Sequence, residues 1–170
     1  MRRTAPSSDR SHWLLPRYLA AAVCARVADE GARVSLVLLA LRETKSAAVG
    51  GALIAALLVP HVVAAPLVGM VIDRALRPRW PLASMVLLFG ATLVLVALLL
   101  GHASLWLVFS LLVVGGCCGP AITGGLTSQL PGLMGVDRAP RMFGFDSLFY
   151  NVASMVGPAV AGITASRSAR

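Results

Sequence analysis

Apolar residues run along this chain in long blocks separated by short polar joints. The blocks cover about 18–41, 47–72, 81–101, 104–128 and 142–165, and the joints are Arg42-Glu-Thr-Lys45, Asp73 to Trp80, Gly101-His-Ala-Ser104 and Gln129 to Arg141. From Trp80 to Val136 there is no Asp, Glu, Lys or Arg at all. Roughly 20 apolar residues suffice for a helix to cross the hydrocarbon core of a bilayer, and a soluble core helix would keep a polar face. The pattern therefore predicts an all-α integral membrane chain of about five transmembrane helices. The joints are short enough to make successive helices antiparallel neighbours. Residues 1–16 read as a cytoplasmic tail, 17–165 as the helical bundle and 166–170 as a short C-terminal tail.

Composition agrees, with 58% apolar and 13% charged residues and a mean hydropathy of +0.82, outside the range of soluble domains. The net charge of +8 sits in tails and turns. Nine basic residues (Arg2, Arg3, Arg10, Arg17, Arg74, Arg77, Arg79, Arg138 and Arg141) fall on one side of the expected topology and four (Arg42, Lys45, Arg167 and Arg170) on the other. Basic residues are retained on the cytoplasmic side, so the N-terminus is expected there and the C-terminus outside. No basic surface interleaved with aromatics is present, which argues against nucleic acid as a partner. The first ten residues read as a polar tail, and no small-residue cleavage site follows them. Cys24, Cys117 and Cys118 all lie inside apolar blocks at spacings that fit no disulfide framework, zinc site or haem motif. They read as packing residues, and no metal or cofactor is expected.

Four ionisable residues interrupt the first block: Arg26, Asp29, Glu30 and Arg33. Such groups cost several kcal/mol within a membrane unless paired or facing a polar cavity. On a helix Arg26 reaches Glu30 and Asp29 reaches Arg33, both at i,i+4, so one reading is a helix that neutralises itself. The other is a charged patch lining a water-filled path, where a carboxylate binds and releases a proton as access alternates. Asp146, near the start of the fifth block, is a further candidate for that path, or an interfacial residue at a helix N-terminus. His61, between Pro60 and Pro66, reads as a packing histidine with a titratable ring as the alternative.

Two motifs carry a resemblance. Gly69, Asp73, Arg74, Arg77 and Arg79 match the turn between the second and third spans of the major facilitator superfamily, with Leu76 where that family prefers glycine and Pro78 within the basic run. The glycine would permit close helix contact, the aspartate would pair with an arginine or face a helix N-terminus, and the arginines would anchor the turn at anionic lipid. Gly144, Ala153, Gly157, Pro158, Ala161 and Gly162 fall at the spacings of the same family's antiporter motif, alanine replacing glycine at 153 and 161. That spacing suits close helix packing with a proline bend. Gly115-Gly116-Cys117-Cys118-Gly119-Pro120 and Arg26-Val-Ala-Asp29-Glu30 are similar to stretches of its drug and metabolite exporters. The resemblance extends over about 17–165.

What the resemblance implies is the N-terminal part of a proton-coupled efflux transporter that moves a small molecule across the cytoplasmic membrane by alternating access. Residues 69–79 would be the gating turn, and Arg26, Asp29, Glu30, Arg33 and Asp146 the translocation path. Membrane lipid and a small-molecule substrate are the expected partners. Family members carry twelve spans in two halves, and no sixth apolar block follows Gly162. The expectation is thus a truncated transporter, not competent without its C-terminal half or another subunit. The alternative is a non-transporting membrane protein, or a half-transporter that acts by oligomerising with a partner. No His-Glu-x-x-His, Gly-x-Ser-x-Gly or phosphate-cradling Gly-Lys-Ser/Thr sequence occurs, so neither an enzyme nor an ATP-driven pump is expected.

Overall fold

The computed structural model describes residues 8–131 and 139–168, and among them helices and short turns account for the whole fold. The long helices are α1 (Ser8–Thr44), α2 (Ala47–Arg74), α3 (Arg79–Leu99), α4 (Leu105–Pro120) and α5 (Ala139–Ser168). α4 continues through a π-helical turn, Ala121–Gly125, into a last α-helical turn, Leu126–Ser128. α1 begins at Ser8, inside the stretch read as a tail, and α5 runs through Ser168, past the expected limit of the bundle. Hydropathy marks where a membrane core could lie, whereas backbone hydrogen bonding carries a helix on through polar residues. Arg2 and Arg3 of the expected tail, Arg138 of the fourth joint and Arg170 lie outside the described residues.

Among the described residues four segments, against the five expected, are long and apolar enough to cross a membrane: Ala47–Arg74, Arg79–Leu99, Leu105–Ser128 and Pro140–Arg167. α1 is longer than any of them, at 37 residues, but its four central charges keep it outside that group.

The joints are built from short-range chemistry. Lys45 takes a left-handed conformation, φ 55°, which closes the end of α1 in the way a helix C-terminus favours. Ser46 then caps α2, its hydroxyl accepting from the Val49 N–H at 3.4 Å. Gly101 has φ +89°, and the Glu43 carboxylate oxygen lies 2.6 Å from the point where a Cβ would stand. Glycine is favoured there by the backbone angle, since the Glu43 side chain can swing aside.

Each apolar helix buries one narrow stripe and turns the rest outward. α2 buries Gly50, Leu53, Leu57, Ala64, Val68 and Ile72, a three-and-four spacing in which half-buried His61 fills the step between Leu57 and Ala64. α3 buries Leu82, Phe89, Thr92 and Val96 by the same rule. Val62, Val63, Leu87 and Trp106 are more than two-thirds exposed, as suits side chains facing lipid tails. Because lipid is as apolar as leucine, close fit and small residues drive helix association here.

α4 packs between α2 and α3, and its glycines make that possible. A Cβ on Gly116 would collide with the main-chain carbonyl of Leu57, one on Gly119 with the His61 ring, and one on Gly115 with the Thr92 side chain. Buried Cys118 joins this core, while Cys117 and Cys24 face outward. Gly116→Ala is expected to lower stability by about 1–3 kcal/mol, since the carbonyl it would strike cannot rotate away as a side chain can. Gly90→Ala, at a position with nothing within 4 Å, is the control: reversible unfolding in detergent should show it neutral or slightly stabilised.

Candidate functional site: a buried charge cluster between α1, α4 and α5

The inward stripe of α1 is Ala22, Arg26, Asp29, Leu36 and Ala40, so the helix that carries the charges turns two of them directly into the bundle. α5 answers with its own stripe of Asp146, Ala153, Gly157 and Ala161, with Tyr150 half-buried between the first two. The two helices cross at a pair of glycines. A Cβ on Gly157 would lie 2.7 Å from both the Gly31 nitrogen and the Val27 carbonyl oxygen. Backbone thus rests on backbone, and the charged turns on either side are brought within reach of each other.

Arg26 is 1% exposed and Asp146 5%. The guanidinium donates to the carboxylate through two parallel bonds, Nη1 to Oδ1 at 2.7 Å and Nη2 to Oδ2 at 3.0 Å, the fork geometry that makes such pairs strong. Nη1 also donates to the Asp146 carbonyl at 3.4 Å, and Nη2 to the Thr127 hydroxyl at 2.9 Å. The same hydroxyl lies 2.7 Å from Asp146 Oδ2. The guanidinium stands 5.4 Å from the centre of the Tyr150 ring, within cation–π range. Nearby, the Tyr18 hydroxyl donates to the Leu126 carbonyl.

Further along α1, Arg33 donates to Asp29 at 2.8 Å and is bridged to Glu30 at 3.2 Å. The expected i,i+4 pair of Asp29 and Arg33 is therefore present. The expected pair of Arg26 with Glu30 is not: Arg26 leaves its own helix for Asp146, which offers two oxygens in plane and a hydroxyl beside them. Glu30 shares Arg33 instead. Nε of both arginines is buried without an acceptor. Counting these five groups alone, two guanidinium cations face three carboxylates, one negative charge too many if all are ionised and His61, which lies within electrostatic reach of Asp29, is neutral.

The other sequence-derived positions lie elsewhere. Ala153, Gly157 and Ala161 sit on the buried stripe of α5, but Gly144 and Gly162 point outward with nothing within 4 Å, so they make none of the expected packing among the described helices. α5 runs on as helix through Pro158. Gly69 likewise has nothing within 4 Å, which corrects the expectation of close contact with a described helix. Asp73 is exposed and has no ion-pair partner among the described residues; it borders a cleft of about 230 Å³ shared with Gly69, Pro120, Thr123 and Gly125. Arg74 ends α2, Arg77 is exposed, and the Arg79 guanidinium stands 5.8 Å from the Trp80 ring centre.

Sequence reasoning missed Gly31, Thr127 and Tyr150. Gly31 had a signal, since a glycine in a helix interior costs about 1 kcal/mol and asks for a packing reason. Thr127 and Tyr150 had none, being ordinary residues on helices whose facing sides no local pattern reveals. Among the described residues no group of three His, Cys, Asp or Glu could hold a metal ion.

The family model described as Major Facilitator Superfamily matches residues 18–169. This chain belongs to the major facilitator superfamily. Its relatives include an uncharacterized MFS-type transporter of Sinorhizobium fredii, 29% identical over 148 residues, which are 85% of this chain and 36% of that protein. The chain thus spans little more than a third of the length of the relative it matches. No solved structure matches it. Within this superfamily member the charged cluster, not the turn after α2, is where the described helices concentrate their buried polar chemistry.

Proposed function

We propose that this chain forms part of a proton-coupled exporter, carrying the first-half helices of a transporter that moves a small molecule by alternating access. The observation that carries the reading is the excess carboxylate. Three acids held against two arginines inside a helical bundle favour the binding of one proton, because an unbalanced charge in low dielectric is costly. Asp146 is committed to Arg26 through two bonds, whereas Asp29 and Glu30 share Arg33. The exchangeable proton is therefore assigned to the Asp29–Glu30 pair, with Arg33 holding whichever carboxylate is ionised. The turn of Asp73, Arg74, Arg77 and Arg79 acts as the gate, on the cytoplasmic side together with the N-terminus, and Ala153, Gly157, Pro158 and Ala161 set the packing on which movement occurs. The described helices supply one moving body. A second, from further chain, a second copy or a separate subunit, completes the path.

The test is a chimera in which this chain replaces the matching segment of the S. fredii transporter. It would be expressed in an efflux-deficient bacterium and challenged with a panel of amphipathic dyes and antibiotics. At least one compound is expected to accumulate less than in the empty-vector control, with the difference removed by a protonophore and by Asp29→Asn. Export that persists in both conditions would sink the coupling role. No effect on any compound would overturn the exporter reading itself.

A further inference from the structure

α4 does not stay α-helical to its end, and the place where it departs has a geometric consequence. Eight residues beyond Gly119, an unbroken α-helix has turned about 80° past the face that Gly119 occupies. Thr127 stands at that position, within about 20° of the face of Gly116, so in a regular helix it would point toward α2. A π-helical turn holds about one extra residue, which takes roughly 100° back out of the register. Ala121–Gly125 is such a turn, and beyond it Thr127 is turned from the Gly116 side toward α1 and α5, where its hydroxyl meets Arg26 at 2.9 Å and Asp146 at 2.7 Å.

We propose that Thr127 is a positioning residue, aimed by the π turn, whose hydroxyl bridges the Arg26–Asp146 pair and ties the end of α4 to the α1–α5 unit. The bonds are consistent with that role in each direction. Arg26 Nη2 donates to the hydroxyl, and the hydroxyl proton goes to Asp146 Oδ2 or to the Thr123 carbonyl at 3.0 Å, the latter lying inside the turn itself. α4 packs chiefly on α2 and α3, and α5 chiefly on α1. The bridge therefore adds to the packing of α1 on α2 and to the Tyr18–Leu126 bond in joining two groups of helices. Thr127 neither reacts nor carries charge; it fixes where Arg26 and Asp146 stand relative to α4.

The test places spin labels at Ser128→Cys and Ser147→Cys, both exposed, in the full chain with its three native cysteines replaced, and reads their separation by pulsed EPR in lipid nanodiscs. The parent and Thr127→Ser, which keeps the hydroxyl, are expected to give one narrow distribution. Thr127→Val, nearly the same in shape, is expected to add a second, longer component while helicity by circular dichroism is unchanged. Deleting Gly124, an exposed residue of the π turn with nothing within 4 Å, turns the label at 128 as well and should shift the distribution, and Thr127→Val should then change nothing further. A narrow distribution retained in Thr127→Val overturns the bridge. A deletion in which Thr127→Val still shifts the distances overturns the link to the π turn. The readout is a distance and not transport, so it stands or falls separately from the export assay.

Discussion

Asp146→Ala is expected to be among the most destabilising single changes in this chain, at about 3–5 kcal/mol, because it leaves the Arg26 guanidinium buried without its anion. The magnitude follows from what remains in place. Arg26 is 1% exposed, so water cannot take over from the lost carboxylate, and the Thr127 hydroxyl and Tyr150 ring compensate only in small part. Removing both charges together has a different outcome. In Arg26→Leu/Asp146→Leu the desolvation cost disappears along with the attraction, and apolar pairs of similar volume often match or exceed a buried ion pair in stability. The double variant is therefore expected to recover most of the loss. Reversible unfolding of both single variants and the double variant in SDS would show this as a large positive coupling. Additive losses would mean that the pair does not act as a unit.

Gly157→Val is expected to separate α5 from α1. The added Cβ would meet the Gly31 nitrogen and the Val27 carbonyl oxygen, each at 2.7 Å, and both belong to the backbone of a helix that cannot move aside locally. Overpacking of a well-packed site costs about 1–3 kcal/mol, and the upper end applies where no side chain can yield. The charged turns above the crossing would lose their registration at the same time, so the loss extends to the ion pair. Disulfide cross-linking between cysteines introduced on α1 and α5 should fall sharply. Gly144→Ala, on the outer face of the same helix, should leave cross-linking intact and raise helix stability by about 0.5–1 kcal/mol. Equal effects at the two glycines would remove the distinction between the inward and outward halves of the motif.

The helices were legible because hydropathy over 20 residues is a coarse and redundant signal, and short joints leave little freedom in how neighbours run. The Asp29–Arg33 pair was legible for the same local reason, both partners lying on one face of one helix. Arg26 was not, because its partner lies on another helix and only the crossing of Gly31 over Gly157 brings the two together. The motif in α5 was legible as spacing but not as direction. A run of small residues does not say which of them points inward, and the answer here, Ala153, Gly157 and Ala161 without Gly144 and Gly162, depends on where α1 lies. The π turn was invisible, since nothing in Ala121-Ile-Thr-Gly-Gly125 distinguishes a wide turn from an ordinary one. Everything after it in α4 changes face as a result.

The distance along the chain between Arg26 and Asp146, 120 residues, also governs the order in which the protein can be built. A ribosome delivers α1 first, with a cation at its centre that costs about 2.5–3.5 kcal/mol to place in a bilayer, and delivers the carboxylate that relieves it only with the last described helix. Until α5 emerges, Arg26 has within α1 only Glu30, one turn on, which in the finished fold shares Arg33 with Asp29. α1, made before α5, is therefore secured only after it, and a nascent chain halted before Asp146 leaves Arg26 without the partner it takes in the finished fold.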